Sequence, residues 1–183
     1  MVPSYKRLLL RIIFFLWIGG QSMILKNEIG YYQSLGLYER SQLIVQELFQ
    51  GKKDKSGHPY MNHLIKVSED FEEERIKSMA LMHDVLEDTK LTSKDLKTLG
   101  YDADFIEVLE LLTNTYDTYE EYIDTLLKSN NHIAIQIKMK DVLHNMDISR
   151  FASPKEKDFQ RVKRKYIPTY MKILDKLEGE RTK

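Results

Sequence analysis

Cysteine is absent from the 183 residues, which excludes disulfides and thiolate metal sites and leaves nitrogen and oxygen as the ligands for any bound ion. Neither sign of charge is in excess: 28 basic and 28 acidic residues cancel, whereas a general nucleic-acid binder carries a surplus of phosphate-neutralising cations. A local basic site for a small anion is still allowed. Nowhere does apolar and polar alternation run long enough to require a sheet, and no internal repeat or low-complexity tract is evident. The length suits one folded unit with a substantial core and is too short for a catalytic domain plus a second large one. The expectation is an all-α single domain of cytoplasmic composition.

Residues 1–22 differ from everything after them. Lys6 and Arg7 precede the apolar run Leu8 to Ile18, which Arg11 interrupts and Gly19-Gly20 follows. The run is short for a membrane span. It has the size of a signal-peptide core, but the preferred expectation is that Met23 is the true start and the leader an artefact of the assigned start codon. The expected division is therefore an extension over 1–22 and a folded domain over 23–183.

The most informative stretch is Ala80 to Thr89, where a hydrophobic helix expected over Glu72 to Glu87 presents four ionisable side chains. At about 100° per residue, His83 and Glu87 share one column, and Asp84 and Asp88 the next. Ala80, Leu81, Val85 and Leu86 surround them, so the acids sit at the edge of a core. Clustered carboxylates there need a metal ion, basic partners or protonation. A histidine among them favours the metal.

Helical spacing organises the remainder. Leu43, Ile44, Leu48 and Phe49 mark a helix that Gly51 is placed to end, and a short basic loop, Lys52 to Gly57, leads to a helix beginning near Pro59. On that helix Tyr60, His63, Leu64 and Val67 share one face, so His63 points inward. Such a histidine is ordinarily a hydrogen-bonded core residue. Thr92 to Asp95 and Asp102 signal further helix starts, Gly100 closes the helix between them, and Tyr116, Tyr119 and Tyr122 read as packing residues. From Asn131 to Ile148 the inward stripe Ala134, Ile137, Asp141, His144, Asn145, Ile148 carries an acid in its middle, which Lys140 or backbone donors would satisfy if it were merely buried. A last helix is expected from Ser153 to Leu177, kinked or broken at Pro168. Three helices thus present inward metal-competent groups: His63, then His83 with Asp84, then Asp141. By ligand type they suit manganese, iron or zinc.

The order of these residues, H…HD…D, matches the pattern of the HD-domain metal-dependent phosphohydrolases. More narrowly, His83 to Thr89 and Lys138 to Met146 resemble the hydrolase domain of RelA/SpoT-type enzymes and the small alarmone hydrolases, a similarity that spans about Leu37 to Leu177. The resemblance implies a single HD-domain helical bundle that binds Mn2+ and removes pyrophosphate from the 3′ position of guanosine tetra- and pentaphosphate. It implies His63, His83, Asp84 and Asp141 as metal ligands, with Glu87 and Asp88 orienting a water or moving protons. Lys55 and Ser56, His144 and Asn145, and Arg161 and Tyr166 fall where the family contacts substrate. The implied partner is guanosine tetraphosphate or a similar phosphorylated nucleotide, with neither nucleic acid nor membrane expected; the sequence does not set the oligomeric state. Four positions depart from the family: Asp54 and Val142 replace arginines, Leu64 a proline and Ile148 a threonine. The departures leave two alternatives open, an HD phosphohydrolase acting on another nucleotide or phosphorylated small molecule, and a non-catalytic nucleotide-binding regulator. A regulator would have no need of Glu87.

Overall fold

The helix that carries Asp141 lies among the others. In the computed structural model, which describes residues 26–181, the elements are α1 (Lys26–Ser34), α2 (Leu37–Leu48), α3 (Tyr60–Glu69), α4 (Glu74–Leu81), α5 (Val85–Asp88), α6 (Ser93–Thr98) and α7 (Ala103–Leu112), followed by α8 (Tyr119–Lys128) and α9 (His132–Met146). A 3-10 turn (Ile148–Arg150), α10 (Glu156–Arg161), a π-turn (Val162–Tyr166) and α11 (Ile167–Arg181) complete the chain. Residues 1–22, expected to be an extension, lie outside the described residues. Helix α9 packs against α3, α7, α8, α11 and the π-turn, while α4 packs against α2, α3 and α7. Among the described residues the structure is all-α, an isolated bridge between Lys53 and Pro59 aside, and no helix is long and apolar enough to cross a membrane.

Local signals account for most helix starts. The Thr92 hydroxyl accepts from the Asp95 N–H while the Asp95 carboxylate accepts from the Thr92 N–H, and Thr118 with Glu121 repeats the exchange at α8. Asp102 caps α7 through the Phe105 N–H at 2.9 Å and also holds Arg75 in a bidentate pair at 2.6 and 2.7 Å. Phe105, Val108, Leu109 and Leu112 are buried on the face that this cap orients.

Three expectations are corrected. The helix expected over Glu72 to Glu87 begins at Glu74 and breaks after Leu81, resuming at Val85. The physical reason is local: the ladder tightens, the Ala80 carbonyl, the normal acceptor for the Asp84 N–H, taking both the His83 N–H at 3.4 Å and the His83 Nδ1–H at 2.8 Å. His83 and Asp84 therefore sit in a turn. The aromatic stripe does not run through one helix, since α7 ends before Thr113 and α8 begins at Tyr119; Tyr122 is buried, whereas Tyr116 is exposed. At the end of the chain α10 starts at Glu156, behind a loop containing Pro154, and the π-turn, not a break at Pro168, absorbs the irregularity. Proline at the second position of α11 has no N–H to give to the preceding turn, so the turn widens there.

Gly100 shows how tightly one end of the bundle is built. Its φ is +88°, and a Cβ would stand 2.9 Å from Arg40 Nη1, a buried guanidinium that donates to the Leu99 carbonyl at 2.9 Å. Gly100→Ala is expected to lower stability by about 1–3 kcal/mol, the cost of a left-handed non-glycine residue. The shift is measured as a drop in the thermal midpoint by circular dichroism, with metal binding below the transition unchanged.

Candidate metal centre and its cleft

His63 comes from the buried face of α3, His83 and Asp84 from the turn after α4, and Asp141 from the middle of α9. Their ligand atoms converge: His63 Nε2 lies 3.2 Å from His83 Nε2 and 3.3 Å from Asp141 Oδ1. Asp84 Oδ2 is 3.1 Å from His83 Nε2 and 3.6 Å from His63 Nε2. His63, His83 and Asp141 are all buried, while Asp84 stands at the rim and accepts the Tyr60 hydroxyl at 2.6 Å. Among the described residues, His63, His83 and Asp141 form the group whose ligand atoms lie close enough together to hold a metal ion, with Asp84 beside them.

The surrounding hydrogen bonds leave the ligand atoms available. With the His83 Nδ1 proton given to Ala80, Nε2 keeps its lone pair facing the cluster. His63 Nδ1 meets His144 Nδ1 at 2.7 Å, so one ring donates and the other accepts. Burial, helped by the charges of His63 and Arg150, holds the His144 pKa down to about 4, which keeps that ring a neutral acceptor. Burial alone would also lower the pKa of His63, yet Asp141 and Asp84 outweigh it and raise it to about 9. The pocket attracts positive charge. Asp141 would be raised by burial but is held well below the carboxylate range by Lys138 and the two histidines; Lys138 Nζ donates to its Oδ2 at 2.8 Å, and the Asn145 amide donates to its Oδ1. Lys140, expected to serve Asp141, instead pairs with Asp70. Two imidazole nitrogens and two carboxylates with these partners fit a divalent cation.

The cluster lies in a cleft of about 330 Å³, within the range of about 300–1,000 Å³ typical of small-molecule sites. Glu87 and Asp88 also line it, on the short helix α5. Glu87 Oε2 accepts the Asn114 N–H at 3.1 Å, and Asp88 pairs with Lys52 at 2.8 Å, so both acids have the compensation that their position requires. Of the six residues placed by resemblance near substrate, Lys55, Asn145 and Tyr166 line this cleft. Ser56 and Arg161 line an adjoining cavity of about 380 Å³, where Arg161 pairs with Asp158 at 3.1 Å. His144 stands behind His63.

Asp54 also lines the cleft, with its carboxylate engaged on both oxygens. Oδ1 accepts from the Ser56 N–H, the Ser56 hydroxyl and the His58 N–H at 2.7–3.0 Å, while Oδ2 takes Arg150 at 2.9 Å. Val142, the other departure, is fully buried away from the cleft. Lys138, Arg150, Lys165, Tyr119 and Tyr122 also line the cleft, and sequence reasoning did not single them out as site residues. Lys138 was within reach of that reasoning, being three residues before Asp141 on one helix face. Arg150 and Lys165 arrive from irregular turns whose direction no periodicity gives.

No family model matches the chain. Its fold is similar to that of a solved structure described as a metazoan ortholog of SpoT that hydrolyzes ppGpp and plays a role in starvation responses, with a TM-score of 0.62 and 23% identity over 79% of this chain and 87% of that one. The fold is thus shared with a SpoT-type protein. In sequence the chain is 27% identical over 150 residues to the guanosine-3′,5′-bis(diphosphate) 3′-pyrophosphohydrolase of Borreliella burgdorferi, covering 73% of this chain and 22% of that enzyme. The chain therefore spans about a fifth of the length of that relative. Both similarities agree with the RelA/SpoT-type resemblance carried by the His83 and Asp141 motifs.

His83→Ala is expected to abolish metal binding, measured by calorimetric titration. His144→Ala is expected to weaken it by about 10–100-fold, as for other groups that orient a ligating histidine, with helical content unchanged.

Proposed function

We propose that the chain is a metal-dependent pyrophosphohydrolase that removes the 3′ pyrophosphate of guanosine tetra- or pentaphosphate, with manganese as the ion and the cytoplasm as its location. The observation that carries the reading is the convergence of His63, His83, Asp84 and Asp141 in a cleft that also holds Glu87, Asp88 and several cations. The sequence relative named for this reaction and the shared fold support it.

His63, His83, Asp84 and Asp141 would hold the ion, which when bound acidifies water and draws charge from a phosphoryl oxygen. The remaining work falls to the chain. Glu87, fixed by the Asn114 N–H, orients the attacking water and accepts its proton. Asp88, paired with Lys52, keeps that acid from standing alone in the cleft. Tyr60 holds Asp84 in place through its hydroxyl, and Lys138 does the same for Asp141. Lys55 and Asn145 face the nucleotide, next to the ring of Tyr166.

The alternative of a different phosphorylated substrate drew on Asp54 and Val142. Asp54 lines the cleft, but its charge is met by Arg150 and by donors from Ser56 and His58, and Val142 is inside the core, so the alarmone reading is preferred. A purely regulatory module leaves the anchored Glu87 without a purpose.

The test is manganese-dependent release of pyrophosphate from guanosine tetraphosphate by the full chain. Glu87→Gln is expected to cut turnover by about 10²–10⁴-fold, the usual contribution of a general base, while retaining metal; His83→Ala loses both. Intact guanosine tetraphosphate in the presence of metal-loaded protein would exclude the alarmone as substrate.

A further inference from the structure

We infer that Lys165, set across Tyr166 from Lys55, is the determinant by which the cleft selects a diphosphate group over a single phosphate. The inference deepens the phosphohydrolase reading and rests on it for the setting of the site.

The charges lining the cleft are unevenly partnered. Lys52 pairs with Asp88 at 2.8 Å, Lys138 with Asp141 at 2.8 Å and Arg150 with Asp54 at 2.9 Å. Among the described residues, Lys165, Lys55 and the exposed Lys53 have no carboxylate within ion-pair distance, and of these only Lys165 is half-buried. Lys165 is half-buried, with its ammonium 3.7 Å from the centre of the Tyr119 ring and 5.8 Å from that of Tyr166. Lys55 donates to the Tyr166 hydroxyl at 3.3 Å. Burial lowers the Lys165 pKa, and Lys138 and Lys55 lower it further. The ring faces hold the ammonium in place, while its burial and the neighbouring cations carry a cost that an anion relieves.

The backbone has a device that puts it there. Lys165 lies in the π-turn over Val162–Tyr166, and Lys165 and the adjacent Tyr166 both line the cleft. Consecutive residues of a regular α-helix point about 100° apart, and single π-turns are frequent at functional sites because they re-aim side chains. Lys165 and Lys138 share the Tyr119 ring, and Lys138 also stands over Tyr122 and donates to the ligand Asp141. A phosphoryl group at the metal cluster thus has Lys138 beside it, and a second phosphoryl group joined to it reaches toward Lys165 and Lys55. One phosphate has no need of that second pair of cations.

The experiment is calorimetric titration of the manganese-loaded full chain with inorganic pyrophosphate and, separately, orthophosphate. Lys165→Gln is expected to weaken pyrophosphate binding by about 10–100-fold, the scale of a hydrogen bond to a charged group, and to affect orthophosphate far less. Lys165→Arg should recover most of the loss, and Lys66→Gln, on an exposed face, should change neither. Equal loss for both anions, or no loss, overturns the inference. If pyrophosphate binding depends on Lys165 while guanosine tetraphosphate stays intact, the assigned reaction fails and the anion site stands. If guanosine tetraphosphate is hydrolysed and Lys165→Gln leaves its KM unchanged, the anion site fails and the reaction stands.

Discussion

The hydrogen bond from His83 Nδ1 to the Ala80 carbonyl joins the fold to the chemistry. Together with the His83 N–H it fills the carbonyl that a continued α4 would have used, and the chain turns and carries His83 and Asp84 into the bundle. The same bond fixes which ring nitrogen bears the proton and leaves Nε2 facing His63 and Asp84. A helix running on through Asp84 would have kept the Ala80 carbonyl for its own ladder, and the ring would have lost that anchor.

Around this turn the protein balances buried charge residue by residue. Asp141 has Lys138 and Asn145, Asp84 has Tyr60, Asp88 has Lys52 and Glu87 has a backbone N–H. Unpaired, the buried Asp141 and the partly buried Asp84 would take up protons or open the packing, whereas Glu87 and Asp88 stand exposed at the cleft. The exchange at Asp54 follows the same rule. An acid stands where similar proteins carry an arginine, and it organises its own loop while holding Arg150 from a different element. Positive charge at the cleft is thereby kept, although its position in the chain has moved.

Much of this was legible in the sequence. The inward histidine of α3 followed from i, i+3, i+4 spacing, the caps at Thr92 and Asp102 from side chains that compete for free N–H groups, and the acid within the Ala134–Ile137–Asp141 stripe from its interruption of an apolar face. Reading Glu72 to Glu87 as one continuous helix was incorrect, because periodicity takes no account of a side chain competing for a carbonyl. Lys140, offered with backbone donors as a partner for a merely buried Asp141, does not reach it. On a helix, position i−3 lies on the same face as the acid whereas i−1 points away, and Lys140 accordingly reaches Asp70. Tyr119 read as packing because a stripe of aromatic residues carries no mark of whether one edge faces a cleft. Arg150 and Lys165 depend on the paths of a 3-10 turn and a π-turn, which are set by tertiary packing.

The π-turn before Pro168 makes chain length a rotational control. Removing one residue between Val162 and Arg164 would let the segment relax to ordinary helical winding while α10 and α11 kept their places. The turn's own side chains would change direction, Lys165 leaving the aromatic ring over which it now stands. A single codon lost at this point re-aims a cation of the cleft without altering a ligand of the metal centre.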